Sequence, residues 1–281
     1  MAKARIAVHK FSSCDGCQLQ FLTLEEELLQ LAERVEISYF VEATSNLGDG
    51  PYGSYDVSFV EGSVSTPDEV ERIRKIRDNS RMVVAIGACA TAGGIQALRN
   101  WGDLQSYKTS VYPQPEHIEA LPTSTPFSEH IRVDAQLAGC PPNQGQLKYV
   151  LSSVLAGVQA RIPRESICLQ CKRDGNVCVL VAQEQPCMGP ITKTGCGALC
   201  PHQERDCYSC FGPADTANID AMGRRFMGTG MPPGGVVHRL RFIYNWAPQY
   251  REASQRWLDH AGGFRTLPPA VTVTPPSGVQ P

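Results

Sequence analysis

No run of apolar residues in this chain of 281 residues approaches the roughly 18 needed to cross a bilayer. The opening stretch MAKARIAVHKF has no apolar core followed by a small-residue cleavage site, so export on a signal of its own is not expected. Charge of either sign is not in excess. Lys and Arg number 26 and Asp and Glu 28, with a net charge of −2 and a pI near 6.3. That balance offers no electrostatic case for nucleic acid. No Gly-x-Gly-x-x-Gly follows a strand pattern, so the chain is not expected to bind a nicotinamide. No Ser/His/Asp set or paired carboxylates present themselves for hydrolytic work. A soluble cytoplasmic protein with no membrane and no nucleic-acid partner is the expectation.

What the sequence does have is cysteine. Twelve are present, unevenly placed. Cys14 and Cys17 lie in CDGC, Cys89 in GACAT and Cys140 in GCPP. The other eight, Cys168, Cys171, Cys178, Cys187, Cys196, Cys200, Cys207 and Cys210, fall within 43 residues. Six disulfides would suit a small secreted scaffold in an oxidising compartment, which is not the setting expected here. Structural zinc is the stronger rival, because Cys168/Cys171 and Cys207/Cys210 are CxxC pairs. A short zinc knuckle does not account for Cys89 and Cys140, single thiols far apart in sequence. Twelve thiols make three sets of four, and four thiolates are what a cubane iron–sulfur cluster takes.

The first half alternates strand and helix patterns. Ala4–Phe11, Val35–Val41, Asp56–Glu61 and Met82–Ile86 read as buried strands, and Ile131–Leu137 as a short one. Leu19–Arg34 reads as one helix with Leu22, Leu24, Leu28, Leu29 and Leu31 on its apolar face. Another helix begins at Thr66-Pro67, a cap residue followed by proline, and a third runs from about Gln144 to Ala156. Asn100–His130 reads as a long loop. Alternating elements predict an α/β, doubly wound parallel sheet. On that sheet Cys14, Cys17, Cys89 and Cys140 all follow strand carboxyl ends, where open α/β sheets bind ligands. Gly16, Gly87 and Gly139 stand beside them, where backbone N–H groups can approach cluster sulfur. The alternative for Cys89 and Cys140 is a pair of small buried core thiols.

CDGCQLQFL, VEGSV at Val60–Val64, GACATAGGIQALRN and GCPPNQGQL resemble the small subunit of [NiFe] hydrogenases across most of the N-terminal half. That resemblance implies a flavodoxin-like fold and a proximal [4Fe–4S] cluster on Cys14, Cys17, Cys89 and Cys140, facing a nickel–iron centre in a separate large subunit. It also implies that Glu61, Gly62 and Ala90–Gly94 border the subunit interface. From the residues alone Glu61 reads equally as a solvated strand-end carboxylate. Val177–Pro213 resembles the cytoplasmic group 3 small subunits. With the CDGCQL opening it is most similar to the delta subunits of NADP-linked bidirectional enzymes, also called sulfhydrogenases. The respiratory complex I counterpart has adjacent cysteines at the first motif, whereas Asp15 and Gly16 separate them here.

Local order and the same resemblance assign Cys168, Cys171, Cys178 and Cys187 to a distal [4Fe–4S] cluster, and Cys196, Cys200, Cys207 and Cys210 to a medial one. A crossed arrangement, as in two-cluster ferredoxins, stays open. His202 reads as a solvated loop histidine. The expected organisation is residues 1–160 as the flavodoxin-like domain, 161–215 as an irregular Cys-rich two-cluster domain held more by ligation than by a core, and 216–281 as a partly helical tail. Thr216–Met227 and Val236–Tyr244 have helical apolar spacing and are expected to wrap onto the large subunit or the core domain. Leu267–Pro281 reads as flexible. The resemblance implies one-electron relay through three [4Fe–4S] clusters, between the large subunit and flavin- and iron–sulfur-bearing NADP-reducing subunits. A zinc-bound scaffold, and a small subunit serving a different acceptor, are the rivals.

Overall fold

A computed structural model of the chain describes residues 3–45 and 50–260. Five parallel strands, β1 (Ala4–Lys10), β2 (Val35–Phe40), β3 (Tyr55–Glu61), β4 (Ser80–Ile86) and β5 (Ala135–Leu137), lie in the order β2-β1-β3-β4-β5. This is the flavodoxin strand order, and its switch point falls between β1 and β3. Both faces are covered, which is why the strands read as near-continuous apolar runs. Val57, Phe59, Val84 and Ile86 pack on one face beneath Phe21, Leu147, Val150 and Leu151. Val60, Val83 and Ala85 pack on the other beneath Ile73, Ile76 and Phe127. Each such burial of a large side chain contributes about 1.5–3 kcal/mol.

The helices on the first face are α1 (Gly16–Leu22), α2 (Glu26–Arg34) and α6 (Gln144–Leu155), and on the second α3 (Pro67–Asp78). The helix expected over Leu19–Arg34 is two helices, broken at Thr23–Glu25, where Glu25 takes a positive φ of 49°. Leu24 is buried at the break while Leu29 is exposed, so the apolar face is not the continuous stripe the spacing suggested. The Leu31 side chain lies outside the described ones. The α3 start holds as read: the Thr66 hydroxyl accepts the Glu69 N–H, and the Glu69 carboxylate accepts the Thr66 N–H, a reciprocal cap with Pro67 in the first turn.

The stretch expected to be a long loop contains α5 (Leu104–Val111), capped by Asp103. Neither α4 (Gly87–Ala92), directly on the end of β4, nor α12 (Pro248–His260) is among the helices the sequence pattern predicts. The Cys-rich region carries α7 (Ile167–Arg173), α8 (Val179–Ala182) and α9 (Leu199–His202), followed by α10 (Ile219–Gly228) and α11 (Pro233–Leu240).

Alpha10 to α12 are not a loose tail. Met222, Phe226, Val237, Leu240, Tyr250 and Trp257 form a core with Met188 and Ile191 from the Cys-rich segment and Ala88 and Ala92 from α4. The second half is therefore packed around a hydrophobic core that it shares with α4, where ligation more than a core was expected to hold it. The Leu267–Pro281 segment read as flexible lies outside the described residues. Phe226→Ala should lower the stability of this helical cluster by about 3–5 kcal/mol, the cost of an emptied aromatic site. Thermal unfolding followed with amide exchange in α10 to α12 reads it, and a loss below about 1 kcal/mol would mean these helices are not a packed core.

Candidate metal centres

The first four thiols are brought to the carboxyl edge of the sheet by three different loops. Cys14 follows β1, and Asp15 adopts a left-handed conformation (φ 66°) that turns the chain into α1, where Cys17 sits in the first turn. Lys10 pairs with Asp15 at 2.6 Å and holds that turn. Glu61, the last residue of β3, is 1 % exposed, and its carboxylate accepts the backbone N–H of Cys17 at 3.2 Å and of Gln18 at 3.1 Å. These are unpaired amides of the α1 N-terminus, where negative charge is favoured. Burial raises the Glu61 pKa and those N–H bonds pull it back. The solvated reading of Glu61 is thus overturned, because the strand end is covered by the helix that carries Cys17.

Cys89 lies in α4 and points its thiol at the Gln96 amide oxygen, 3.2 Å away, while Gln96 donates to the Ser12 carbonyl at 2.7 Å. The Ala88 N–H donates to the Gly139 carbonyl at 2.8 Å, tying the loop after β4 to the loop that delivers Cys140. Cys140 is exposed and Cys89 half-buried, so neither is a core thiol. Glycine is required at two places here. Gly87 has φ +89° and Gly94 φ +60°, and a methyl group would overlap the Cys17 sulfur at the first and the Cys89 sulfur at the second. The backbone has been kept bare beside both sulfurs.

These thiols stand within electrostatic reach of one another. Burial, then Glu61, Cys89, Cys140 and Cys14, push the Cys17 thiol far up. Burial and Cys140 push Cys89 up to about 11, against its bond to Gln96. Thiols whose ionisation is opposed by burial and by neighbouring thiols, as at Cys17, Cys89 and Cys140, suit a site where bound cations supply the compensating charge.

Among the later eight, electrostatic neighbours follow the local order at Cys168 and Cys210 but cross it at Cys207, whose thiol is pushed up by burial and then by Cys187 ahead of Cys210. Cys168 and Cys171 lie on α7, Cys178 caps α8, and Cys187 follows in the next loop. Burial, then Cys187, Cys171 and Cys178, push Cys168 up to about 11. A methyl group on Gly189 would stand 3.4 Å from both the Cys168 and Cys187 sulfurs. In the remaining set, burial, then Cys196 and Cys200, push Cys210 up to about 12, with Cys140 of the first set next. Cys207 is buried, and its N–H donates to the Cys187 sulfur at 3.3 Å. The Tyr244 side chain bridges the loop after Cys210 and the loop before Cys140, its ring against Gly212 and its hydroxyl on the Gly139 N–H, while Cys207 touches Cys187. His202 is half exposed and bonds to Asp174 at 3.2 Å. All twelve cysteines are described and all are free thiols.

Sequence reasoning missed the supports. Gln96 and Thr91 lie inside a motif read for its cysteine, and Tyr244 and Asn245 come from far along the chain with no local signal.

Residues 14–154 match the family described as the 20 kDa subunit of NADH ubiquinone oxidoreductase. The chain belongs to this family. Within it the chain is similar to hydrogenase subunits. It is 31 % identical over 242 residues to sulfhydrogenase 2 subunit delta of Pyrococcus furiosus, covering 86 % of this chain and all of that one. It is 28 % identical to a subunit of the F420-non-reducing hydrogenase of Methanococcus voltae, over 76 % of this chain and 83 % of the relative. It is also 28 % identical to subunit delta of the NAD-reducing hydrogenase of Cupriavidus necator, over 57 % of this chain and 83 % of the relative. Among solved structures, a chain of the NAD+-reducing [NiFe]-hydrogenase in its H2-reduced state superposes with a TM-score of 0.51 at 32 % identity, covering 57 % of this chain and 96 % of that one. The actinobacterial-type NiFe-hydrogenase of Ralstonia eutropha shares the fold over 97 % of this chain and 96 % of its own, with a TM-score of 0.53 and 17 % identity. This family member is thus a [NiFe]-hydrogenase small-subunit homologue, a subunit of an oxidoreductase. Among its described residues no helix is long and apolar enough to cross a membrane.

Gly87→Ala should destabilise this family member by about 2 kcal/mol or more, since the left-handed conformation costs roughly 1–2 kcal/mol for a residue with a Cβ and the overlap with Cys17 adds to it. Gly157→Ala, also at positive φ but with nothing within 4 Å, should show the conformational cost alone. Equal losses in thermal unfolding would mean that the Cys17 sulfur does not crowd Gly87.

Proposed function

We propose that the chain is the electron-transfer subunit of a cytoplasmic [NiFe] hydrogenase complex and holds three [4Fe–4S] clusters. In this reading Cys14, Cys17, Cys89 and Cys140 hold the proximal cluster, Cys196, Cys200, Cys207 and Cys210 the medial one, and Cys168, Cys171, Cys178 and Cys187 the distal one. The observation that carries it is the serial proximity of the three thiol groups: Cys140 with Cys210, then Cys207 with Cys187. In this reading the sites run in series from the sheet edge towards Cys178, which is exposed, the arrangement a relay needs. Each cluster would supply one-electron redox chemistry. The residues of this chain exclude water, hold the sulfurs apart and place N–H donors on them, as Cys207 does for the Cys187 sulfur.

Among the described residues no three His, Cys, Asp or Glu side chains are drawn in tightly enough for a single metal ion. Ligands of a four-iron cube bind separate irons and so stand further apart than the ligands of one zinc.

The proximal edge would face the nickel–iron large subunit, and the Cys178 end a flavin- and iron–sulfur-bearing partner that reduces NADP. The relatives favour a second reading of that last step. One belongs to an NAD-reducing enzyme and another to an F420-non-reducing one, so the acceptor at the Cys178 end could be another carrier. Acceptor assays on the purified complex separate the two.

Iron, acid-labile sulfide and zinc per chain, after anaerobic purification with the co-purifying subunits identified, test the proposal. About twelve irons and twelve sulfides are expected, with nickel in a large partner. Zinc with little sulfide would leave a structural scaffold instead. Cys89→Ser should remove about four irons and cut H2-dependent reduction of both dye and NADP. Cys171→Ser should spare hydrogen–deuterium exchange at the nickel–iron centre while impairing NADP reduction. Loss of both activities alike in Cys171→Ser would overturn the order of the clusters.

A further inference from the structure

The segment between α11 and α12 crosses back to the sheet edge and closes on the loops that carry Cys89 and Cys140. Tyr244 is 5 % exposed, and its ring lies against Gly212, two residues beyond Cys210. Its hydroxyl accepts the backbone N–H of Gly139, the residue before Cys140, at 3.2 Å. The same hydroxyl bonds at 3.0 Å to the Thr91 hydroxyl, which donates to the Gly87 carbonyl at 2.8 Å. Asn245, fully buried, donates to the Gly94 carbonyl at 2.7 Å and accepts the Trp101 ring N–H at 3.0 Å. Trp246 follows, packed edge-to-face on Trp101 at 5.3 Å. Gly94 is the residue that clears the Cys89 sulfur.

A buried tyrosine hydroxyl and a buried asparagine amide must find partners somewhere, since an unpaired one costs free energy. What is specific here is where the partners lie. Every polar contact of the Tyr244 hydroxyl, and the Asn245 bond to Gly94, falls on a loop within five residues of Cys89 or next to Cys140. Tyr244 also lies within electrostatic reach of both Cys17 and Cys210. Neither residue touches a thiol, so neither is a candidate ligand.

We propose that Tyr244 and Asn245 are positioning residues for the thiol group of Cys14, Cys17, Cys89 and Cys140, and that the Tyr244 ring sets its separation from the group that includes Cys210. The segment between the C-terminal helices thereby acts on the site at the sheet edge: it holds the C-terminal end of α4 at Thr91 and at Gly94 just beyond it, and takes up the Gly139 amide. This rests on the three-cluster reading above for its effect on electron transfer, but not for its effect on the loops.

Tyr250 gives an internal control. It is as deeply buried as Tyr244, and its hydroxyl bonds to Ser209 at 2.5 Å and to the Ile191 carbonyl at 3.2 Å, remote from Cys89 and Cys140. The test compares Tyr244→Phe and Tyr250→Phe in the intact complex by amide exchange and by redox titration with electron paramagnetic resonance. In Tyr244→Phe the Gly139 amide should exchange about tenfold faster, iron content should hold, and one cluster alone should shift its midpoint potential. In Tyr250→Phe the Gly139 amide and that cluster should be unchanged. Unchanged Gly139 exchange in Tyr244→Phe, or the same change in both variants, overturns the proposal. Faster Gly139 exchange in a wild-type background that proves to contain no iron would sink the electron-transfer reading and leave the positioning of the loops standing.

Discussion

The gathering of thiols at one covered edge of the sheet is the constraint on which the rest of the structure depends. A sulfur in a dry site resists ionisation, and a second sulfur beside it resists more, as Cys17 and Cys89 show. Four of them gather only where the backbone forces the issue. The parallel sheet does this by ending β1, β4 and β5 on one edge, so that three loops far apart in sequence meet. Local chemistry then limits the cost. Glu61 occupies the α1 amides, Gly87 and Gly94 give up side chains where sulfur needs room, and Gln96 gives the Cys89 thiol a partner. Bound cations would complete the compensation, which is how ligand deprotonation couples to metal uptake.

The same constraint accounts for the second half. Within the Cys-rich segment the short helices α7, α8 and α9 bury only a small cluster, Ile167, Val179 and Ala198 with Cys187 and Cys207. Met188 and Ile191 from this segment instead join the core built by α10 to α12. Ala88 and Ala92 of α4 join it too, so one hydrophobic cluster spans the sheet edge, the Cys-rich segment and the C-terminal helices. A loop that must hold sulfurs at fixed separations is better braced from outside than packed from within, because cavities or overpacking at the sulfurs would be felt at once.

Much of the sheet and the cysteine inventory was legible in sequence, for identifiable reasons. Strands buried on both faces read as apolar runs, and the Thr66-Pro67 start is a local signal that long-range packing had no cause to override. The break at Thr23–Glu25, where Glu25 takes a positive φ, was not legible, since the leucine spacing on either side satisfies a helix. Alpha4 was hidden because GACATA is short and carries no cap side chain. Glu61 was misjudged in one of its two readings because a strand-end carboxylate looks solvated until the helix that covers it is placed. The tail was underestimated for a related cause: Phe226, Leu240 and Tyr250 have ordinary helical spacing, and nothing near them says that their partners are Ala88 and Met188.

Residues that hold ligands announce themselves by type and spacing, whereas residues that hold the holders do not. Cys89 is conspicuous in GACAT, but the geometry of its loop is set by Thr91 and Gly94, and theirs by Tyr244 and Asn245, more than 150 residues away. A hydroxyl and an amide are generic groups whose meaning lies in the partner they reach. Their reach is a product of the fold, so it becomes visible only after the helices from Ile219 onward are seen to close over the sheet edge. The C-terminal segment is, on this view, as much a part of the first thiol site as the strands that deliver the cysteines. Removing it would expose the Gly139 amide and free the C-terminal end of α4, even though no ligand lies within it.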